Sequence, residues 1–292
     1  MRMILLALAL FSFVSMAQAQ EVSAPSAVSS DQPADPAHPP QLLQVRYATG
    51  GVEVPARFFV AAGGGAHPTV LLLHGLPGTE LNLDLARAIQ RAGWNVLAIH
   101  YRGVWGAPGQ FSLGNTIQDT RAALAWLRQP ARRAQVNAAR IVVLGHSMGG
   151  FDTVMVGDDP GIAGFVAISA WDVSADAALL DTPAKRSVAR KDYAEDLSFT
   201  NMNFASMADE IVAHAQAWDW NRNAAKMAGR PVLVIESNDG LAPRGDAIVA
   251  AVLAAGGPAP RRLKLESDHS YNDHRIALAS AVTGWLSGFP GK

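Results

Sequence analysis

The chain has 292 residues, 49% hydrophobic and 17% charged, with a formal net charge of −1. That composition suits one large globular domain. The near balance of 24 Lys+Arg against 25 Asp+Glu argues against a nucleic-acid partner or an anionic membrane surface, and the absence of cysteine rules out disulfides.

Residues 1–19 carry a basic Arg2, an apolar run from Ile4 to Val14 and the small-residue end Ala17-Gln18-Ala19. This is the layout of a secretory signal peptide, with cleavage expected after Ala19. The apolar run is shorter than the roughly 20 residues of a spanning helix. The protein is therefore expected to be secreted or periplasmic, with no integral membrane segment once the signal is removed. Residues 20–40 are rich in Pro, Ala and Ser and hold too little apolar surface to offset chain ordering, so a flexible linker is expected there.

From residue 41 to 292 the pattern is that of one domain. LLQVRYAT and VEVPARFFVA flank Gly50-Gly51 and read as an opening hairpin. The runs TVLLLHG, NVLAIHYRG, RIVVLGHS, GFVAISAW and PVLVIESND follow. Strands apolar on both faces belong inside a parallel sheet covered by helices. Between them, Leu81, Leu85, Ala88 and Ile89 share a helical face that stops at Gly93. Ile117, Leu124 and Leu127 share another, Ile248, Val249, Val252 and Leu253 a third, and Leu278, Val282, Trp285 and Leu286 a last. Strand and helix in alternation give a doubly wound α/β domain. Residues 174–226 break the rhythm, being longer than a simple crossover needs. Met207, Ile211, Ala215 and Trp218 share a helical face within them. An insertion at the carboxyl end of a strand lies where such sheets bind ligands, so a small helical cap is expected.

Gly145-His146-Ser147-Met148-Gly149 matches G-x-S-x-G after a β-branched strand. A serine at a sharp strand-to-helix turn exposes its oxygen at the top of the sheet, and side chains two residues either side would clash. The helix start behind it supplies free N–H groups and a positive dipole end.

These residues, together with LLLHGLPG, HYRGVWGAPG, VIESNDGLAP and SDHSYNDHR in that order, resemble the α/β-hydrolase superfamily, and within it the dienelactone-hydrolase and prolyl-oligopeptidase-like serine esterases. The resemblance covers residue 41 to the end. It implies a mostly parallel sheet of about eight strands and a triad in the order nucleophile, acid, base. Ser147 then stands as nucleophile. The base lies after the last strand, where His269 directly follows LKL, while His274 falls at the start of the final helix beside Asp273. The acid is Asp239, just past the penultimate strand, with Asp172 at the end of the preceding strand as its rival. Asp246 reads as a helix cap. The resemblance further implies an oxyanion hole from the backbone N–H groups of Leu76 and Met148. His74 and Trp171 are candidates for the substrate pocket.

No cofactor is called for by this chemistry, and the spacing of Asp268, His269, Asp273 and His274 fits no common metal-ligand pattern. The expected partner is a small-molecule ester or a short peptide. Three readings follow: a serine hydrolase cleaving carboxylic esters through an acyl-enzyme, a prolyl-oligopeptidase-type peptidase acting on short peptides, or a ligand-binding protein of the same fold without catalysis.

Overall fold

The structure, a computed structural model, describes residues 26–289. The signal peptide expected at 1–19 and the start of the linker lie outside the described residues. Within the rest of the expected linker, a single helical turn, α1 (Ser26–Ser29), sets the carbonyl of Ala27 to accept from Arg91 Nε at 2.6 Å.

In chain order the domain comprises β1 (Gln41–Thr49), β2 (Val52–Val60), β3 (His67–Leu73), α2 (Leu83–Arg91), β4 (Asn95–Ile99), α3 (Leu113–Leu127), β5 (Val136–His146), α4 (Met148–Met155) and β6 (Gly164–Ile168). Then come α5 (Ala177–Leu180), α6 (Pro183–Leu197), α7 (Phe204–His214), α8 (Trp220–Ala225), β7 (Val232–Glu236), α9 (Ala242–Ala254), β8 (Arg261–Lys264) and α10 (Arg275–Ser287). The eight strands form one sheet in the order β1-β2-β4-β3-β5-β6-β7-β8. The β1–β2 and β2–β4 pairs are antiparallel, and every other pair is parallel.

The period-2 alternation of side chains splits the core into two layers. Leu71, Leu73, Val143 and Phe165 face the layer holding α3, α4 and α7, whereas Val70, Leu72, Val142 and Val166 face α2 and α10. Both faces of β3, β5 and β6 are therefore buried, which is why their sequences read as unbroken apolar runs. All of the parallel strands point their carboxyl ends to one edge, and the loops there carry His74, Ser147, Asp239 and the chain leading to His269.

Residues 174–226 divide into two parts. α8 packs against α4 and α9 and belongs to the helical layer. α5, α6 and α7 pack on one another. The chain after α6 runs beside the β4–α3 loop, where Trp105 N–H donates to the Phe199 carbonyl at 2.9 Å. Asn201 fastens that junction: its Oδ1 accepts from Phe111 N–H and its Nδ2 donates to the Gly109 carbonyl, both at 2.8 Å. Among the described residues no helix is long and apolar enough to cross a membrane.

Candidate active site

β5 runs straight into α4 through Ser147, whose φ of 57° and ψ of −117° put a non-glycine residue in a strained region. The backbone is that tight because other backbone closes around it. A Cβ on Gly145 would lie 1.9 Å from the Gly149 oxygen, and one on Gly149 2.3 Å from the Leu73 oxygen. Both motif glycines are thus required by packing of main chain on main chain. The Ser147 carbonyl accepts from the N–H of Gly150 at 2.9 Å and from that of Trp171 at 3.0 Å, tying the turn to the end of β6.

The loop after β3 touches the serine directly. A Cβ on Gly75 would approach Ser147 Cβ to 2.8 Å and the His146 carbonyl oxygen to 3.3 Å. The next residue is Leu76. Among the described residues neither its N–H nor that of Met148, the first residue of α4, donates to a protein acceptor. A free N–H at the start of a helix is a favourable place for negative charge.

On the other side, His269 Nδ1 lies 2.8 Å from Asp239 Oδ2. A carboxylate only accepts, so the ring donates from Nδ1 and Nε2 is left without a partner among the described residues. Asp239 Oδ1 accepts from Leu241 N–H at 2.9 Å. Burial works to raise the Asp239 pKa, but hydrogen bonds from His269 and Leu241, with the Ser169 and Ser237 hydroxyls close by, hold it well below the usual carboxylate range. The ring of His269 tilts over that of His146 with centroids 4.7 Å apart. Ser147 Oγ itself has no hydrogen-bond partner among the described residues, so His269 stands against the serine's neighbour His146 and does not bond the serine.

The rival residues have other work. Asp172 Oδ1 accepts from Ser174 Oγ at 2.6 Å and caps the turn after β6. Asp246 pairs with Arg262 at 2.7 Å. His274 precedes α10, and its Nδ1 is 2.9 Å from Asp273 Oδ1. The two pocket candidates differ. Trp171 is half-buried beside the serine turn and donates from Nε1 to Asp176 Oδ2 at 2.7 Å. His74 is buried, its Nδ1 donating to the Gly75 carbonyl at 2.7 Å and its ring packed 4.7 Å from that of Tyr101. A Cβ on Gly78 would lie 2.7 Å from its ring, so the ring packs against the loop after β3.

Several participants carried no sequence signal of their own. Ser169 Oγ lies 3.1 Å from Ser237 Oγ and 2.8 Å from Tyr271 OH, a hydroxyl cluster behind Asp239. Burial raises the Tyr271 pKa well above its ordinary value, so this hydroxyl stays protonated. Only position hinted at them: Ser169 and Ser237 each stand at the end of an apolar strand run, and Tyr271 two residues past His269. From α6, Asp196 faces the same centre: burial and Glu195 raise its pKa, and the nearby His269 lowers it. The described residues hold no group of three or more His, Asp or Glu arranged to bind a metal ion.

A family model described as "alpha/beta hydrolase fold" matches residues 68–230, more than half of the chain. The chain is similar to acylamino-acid-releasing enzyme 1 of Oryza sativa subsp. japonica, 32% identical over 111 residues, covering 35% of this chain and 14% of that protein. Of the three curated relatives first matched, the chain spans less than two thirds in each case, at 44%, 14% and 62% of their length. Among solved structures, the esterase Pf2001 of Pyrococcus furiosus superposes with a TM-score of 0.60 at 17% identity, covering 86% of this chain and 94% of that one. The uncomplexed acylaminoacyl peptidase of Pyrococcus horikoshii superposes with a TM-score of 0.65 at 13% identity, covering 86% of this chain and 42% of that one.

Proposed function

The chain belongs to the α/β-hydrolase family, and from that premise we propose that it is a serine hydrolase that cleaves carboxylic esters through an acyl-enzyme. The observation that carries the reading is the 2.8 Å pairing of His269 Nδ1 with Asp239 beside a serine held in a strained strand-to-helix turn.

In this reading Ser147 Oγ attacks the acyl carbonyl while His269 Nε2 takes its proton. The serine–histidine hydrogen bond tightens as substrate binds, as catalytic contacts commonly do. The N–H groups of Leu76 and Met148 hold the oxyanion. The alcohol leaves with the proton from His269. Water, deprotonated by the same ring, then releases the acid and restores the serine. Asp239 keeps Nδ1 protonated and offsets the charge that forms on the ring. The helical insertion α5–α7 serves as a cap, with Trp171 at its root beside the acyl site. The leader sequence supports a secreted or periplasmic protein.

A second reading, a peptidase acting on short peptides, is favoured by the similarity to the rice acylamino-acid-releasing enzyme. A fluorophosphonate probe tests the common chemistry: wild type should label and Ser147→Ala should not, and absence of labelling in both would favour a binding protein. A panel of p-nitrophenyl esters beside aminoacyl anilides then separates the two readings. Comparable kcat/KM on the anilides would put the peptidase reading ahead of the esterase.

A further inference from the structure

Strands β1 and β2 direct Tyr47, Val54 and Phe58 into one core layer. Their opposite face is covered by α2 only at one end, where Phe59 is buried. At the other end a cavity of about 700 Å³ opens, bounded by Gln44, Arg46, Pro55, Arg57 and His100. A second cavity of about 230 Å³ shares Arg46, Pro55 and His100 and continues to Trp105. Trp105 Nε1 donates to the Pro77 carbonyl at 2.8 Å, in the loop that carries Leu76. The groove therefore runs from the open sheet face to the rim of the proposed oxyanion loop.

Two guanidinium groups line it. Arg57 Nη1 donates to His100 Nε2 at 3.0 Å. Burial, and then the Arg57 charge, lower the His100 pKa, so the ring is a neutral acceptor that orients the guanidinium without neutralising it. Arg46 Nη1 reaches only the Glu53 carbonyl, at 3.3 Å. Among the described residues neither guanidinium has a carboxylate partner within salt-bridge distance. Arg57 is half-buried and Arg46 exposed; a half-buried cation without a counter-charge gains most from an anion, and the planar fork of arginine matches carboxylate and phosphate oxygens two at a time.

We propose that this groove is a binding subsite for an oxyanion, the carboxylate or phosphate of a ligand, gripped by Arg57 and Arg46. The subsite deepens the serine-hydrolase reading where the anion is part of the substrate, and it stands without that reading where the anion is free. β2, which carries Arg57, is three strands from β5, roughly 14 Å at ordinary strand spacing. A substrate reaching both ends carries its acid on a long acyl chain.

The test compares the mono-p-nitrophenyl ester of decanedioic acid with p-nitrophenyl decanoate, in wild type, Arg57→Gln, Arg57→Lys and Arg46→Gln. The wild type should prefer the acidic ester by about tenfold or more in kcat/KM, the scale of one charged hydrogen bond. Arg57→Gln should abolish the preference and Arg57→Lys should keep part of it. Calorimetric titration with decanedioate and with inorganic phosphate forms the second arm and needs no turnover. Binding of either to wild type, lost in Arg57→Gln with thermal unfolding unchanged, supports a free-anion site even if neither ester is cleaved. If neither ester is cleaved, the hydrolase reading fails on its own account. Equal treatment of the two esters together with no calorimetric binding overturns the subsite.

Discussion

His146 Nε2 donates to the carbonyl oxygen of His269 at 2.8 Å, across 123 residues of sequence. The residue before the proposed nucleophile thus holds the backbone of the proposed base. Burial, then the neighbouring His269, lower the His146 pKa to about 3, so its ring is neutral and can donate from one nitrogen only. His146→Ala removes the donor and leaves a buried carbonyl unpaired, which costs about 1–3 kcal/mol. We expect a lower unfolding midpoint and a fall in kcat larger than any rise in KM, because His269 loses its position while the pocket keeps its shape. An unchanged kcat with a lowered midpoint would make His146 purely structural.

Gly75 gives access to backbone donors that side-chain deletion does not reach. A methyl group there would stand 2.8 Å from Ser147 Cβ. Gly75→Ala must push the loop and the Leu76 N–H away from the serine. Loss of one oxyanion donor costs about 3 kcal/mol, or about two orders of magnitude in kcat. Steady-state kinetics on a p-nitrophenyl ester checks this, with circular dichroism to show that the fold persists. Retained kcat would remove Leu76 from the proposed oxyanion hole.

The sheet was legible because its signals are local. The runs before Leu73 and His146 are apolar on both faces, and G-x-S-x-G demands its glycines through contacts between neighbours in sequence. The choice between Asp239 and Asp172 was not legible. Both end a strand, and only the fold shows that Asp172 turns back on Ser174 while Asp239 meets His269. His146 was hidden for the same reason, since its partner is fixed by the closing of the sheet. α6 escaped the pattern because it has almost no apolar stripe: only Leu197 of its fifteen residues is buried. An exposed helix of that kind leaves no periodic mark.

Two buried histidines and the Asp239 carboxylate work to destabilise the fold as pH falls, against the buried Asp119 and Asp152, whose raised pKa values act the other way. The pKa of His74 is lowered to about 4 by burial, and that of His146 to about 3, from 6.5. A base whose folded value lies below its unfolded value binds fewer protons when folded. Its contribution to stability is full above about 6.5 and is lost as pH falls toward the folded values. The depressed Asp239 acts in a lower window: its contribution is present above the unfolded carboxylate value of about 3.9 and is lost as pH falls through the folded one. We therefore expect the urea midpoint to decline from pH 6.5 downward, well before carboxylates protonate. His74→Gln should flatten the upper part of the decline. An identical pH dependence in wild type and His74→Gln would contradict a neutral buried His74 ring.

Asp239 also separates orientation from charge. Asp239→Asn keeps the shape but presents an amide that can donate to His269 Nδ1, which favours the tautomer with its proton on Nε2. A loss in kcat of about three to four orders of magnitude is expected, with substrate affinity little changed. Asp172→Asn, whose carboxylate caps the turn after β6, should cost only stability. The reverse pattern, Asp172→Asn inactive and Asp239→Asn active, would move the acid to the other strand.

Asn201 offers a test of whether the junction between the helical insertion and the core governs access. Its backbone N–H donates to the Gly103 carbonyl at 3.0 Å, and its side chain holds Phe111 N–H and the Gly109 carbonyl. Beside it Trp105 and Phe199 stack with centroids 4.3 Å apart, both exposed at the rim. Asn201→Ala deletes both side-chain bonds and leaves the part-buried Phe111 N–H unpaired, a cost of about 1–3 kcal/mol. Local opening is governed by such contacts, so amide exchange should quicken at residues 103–111 and 198–202 while the β3–β5 pairing keeps its protection. If the insertion controls entry, KM should move with exchange and kcat for small esters should not. Faster exchange with KM unmoved for both small and bulky esters would mean that the junction is structural and the substrate enters elsewhere.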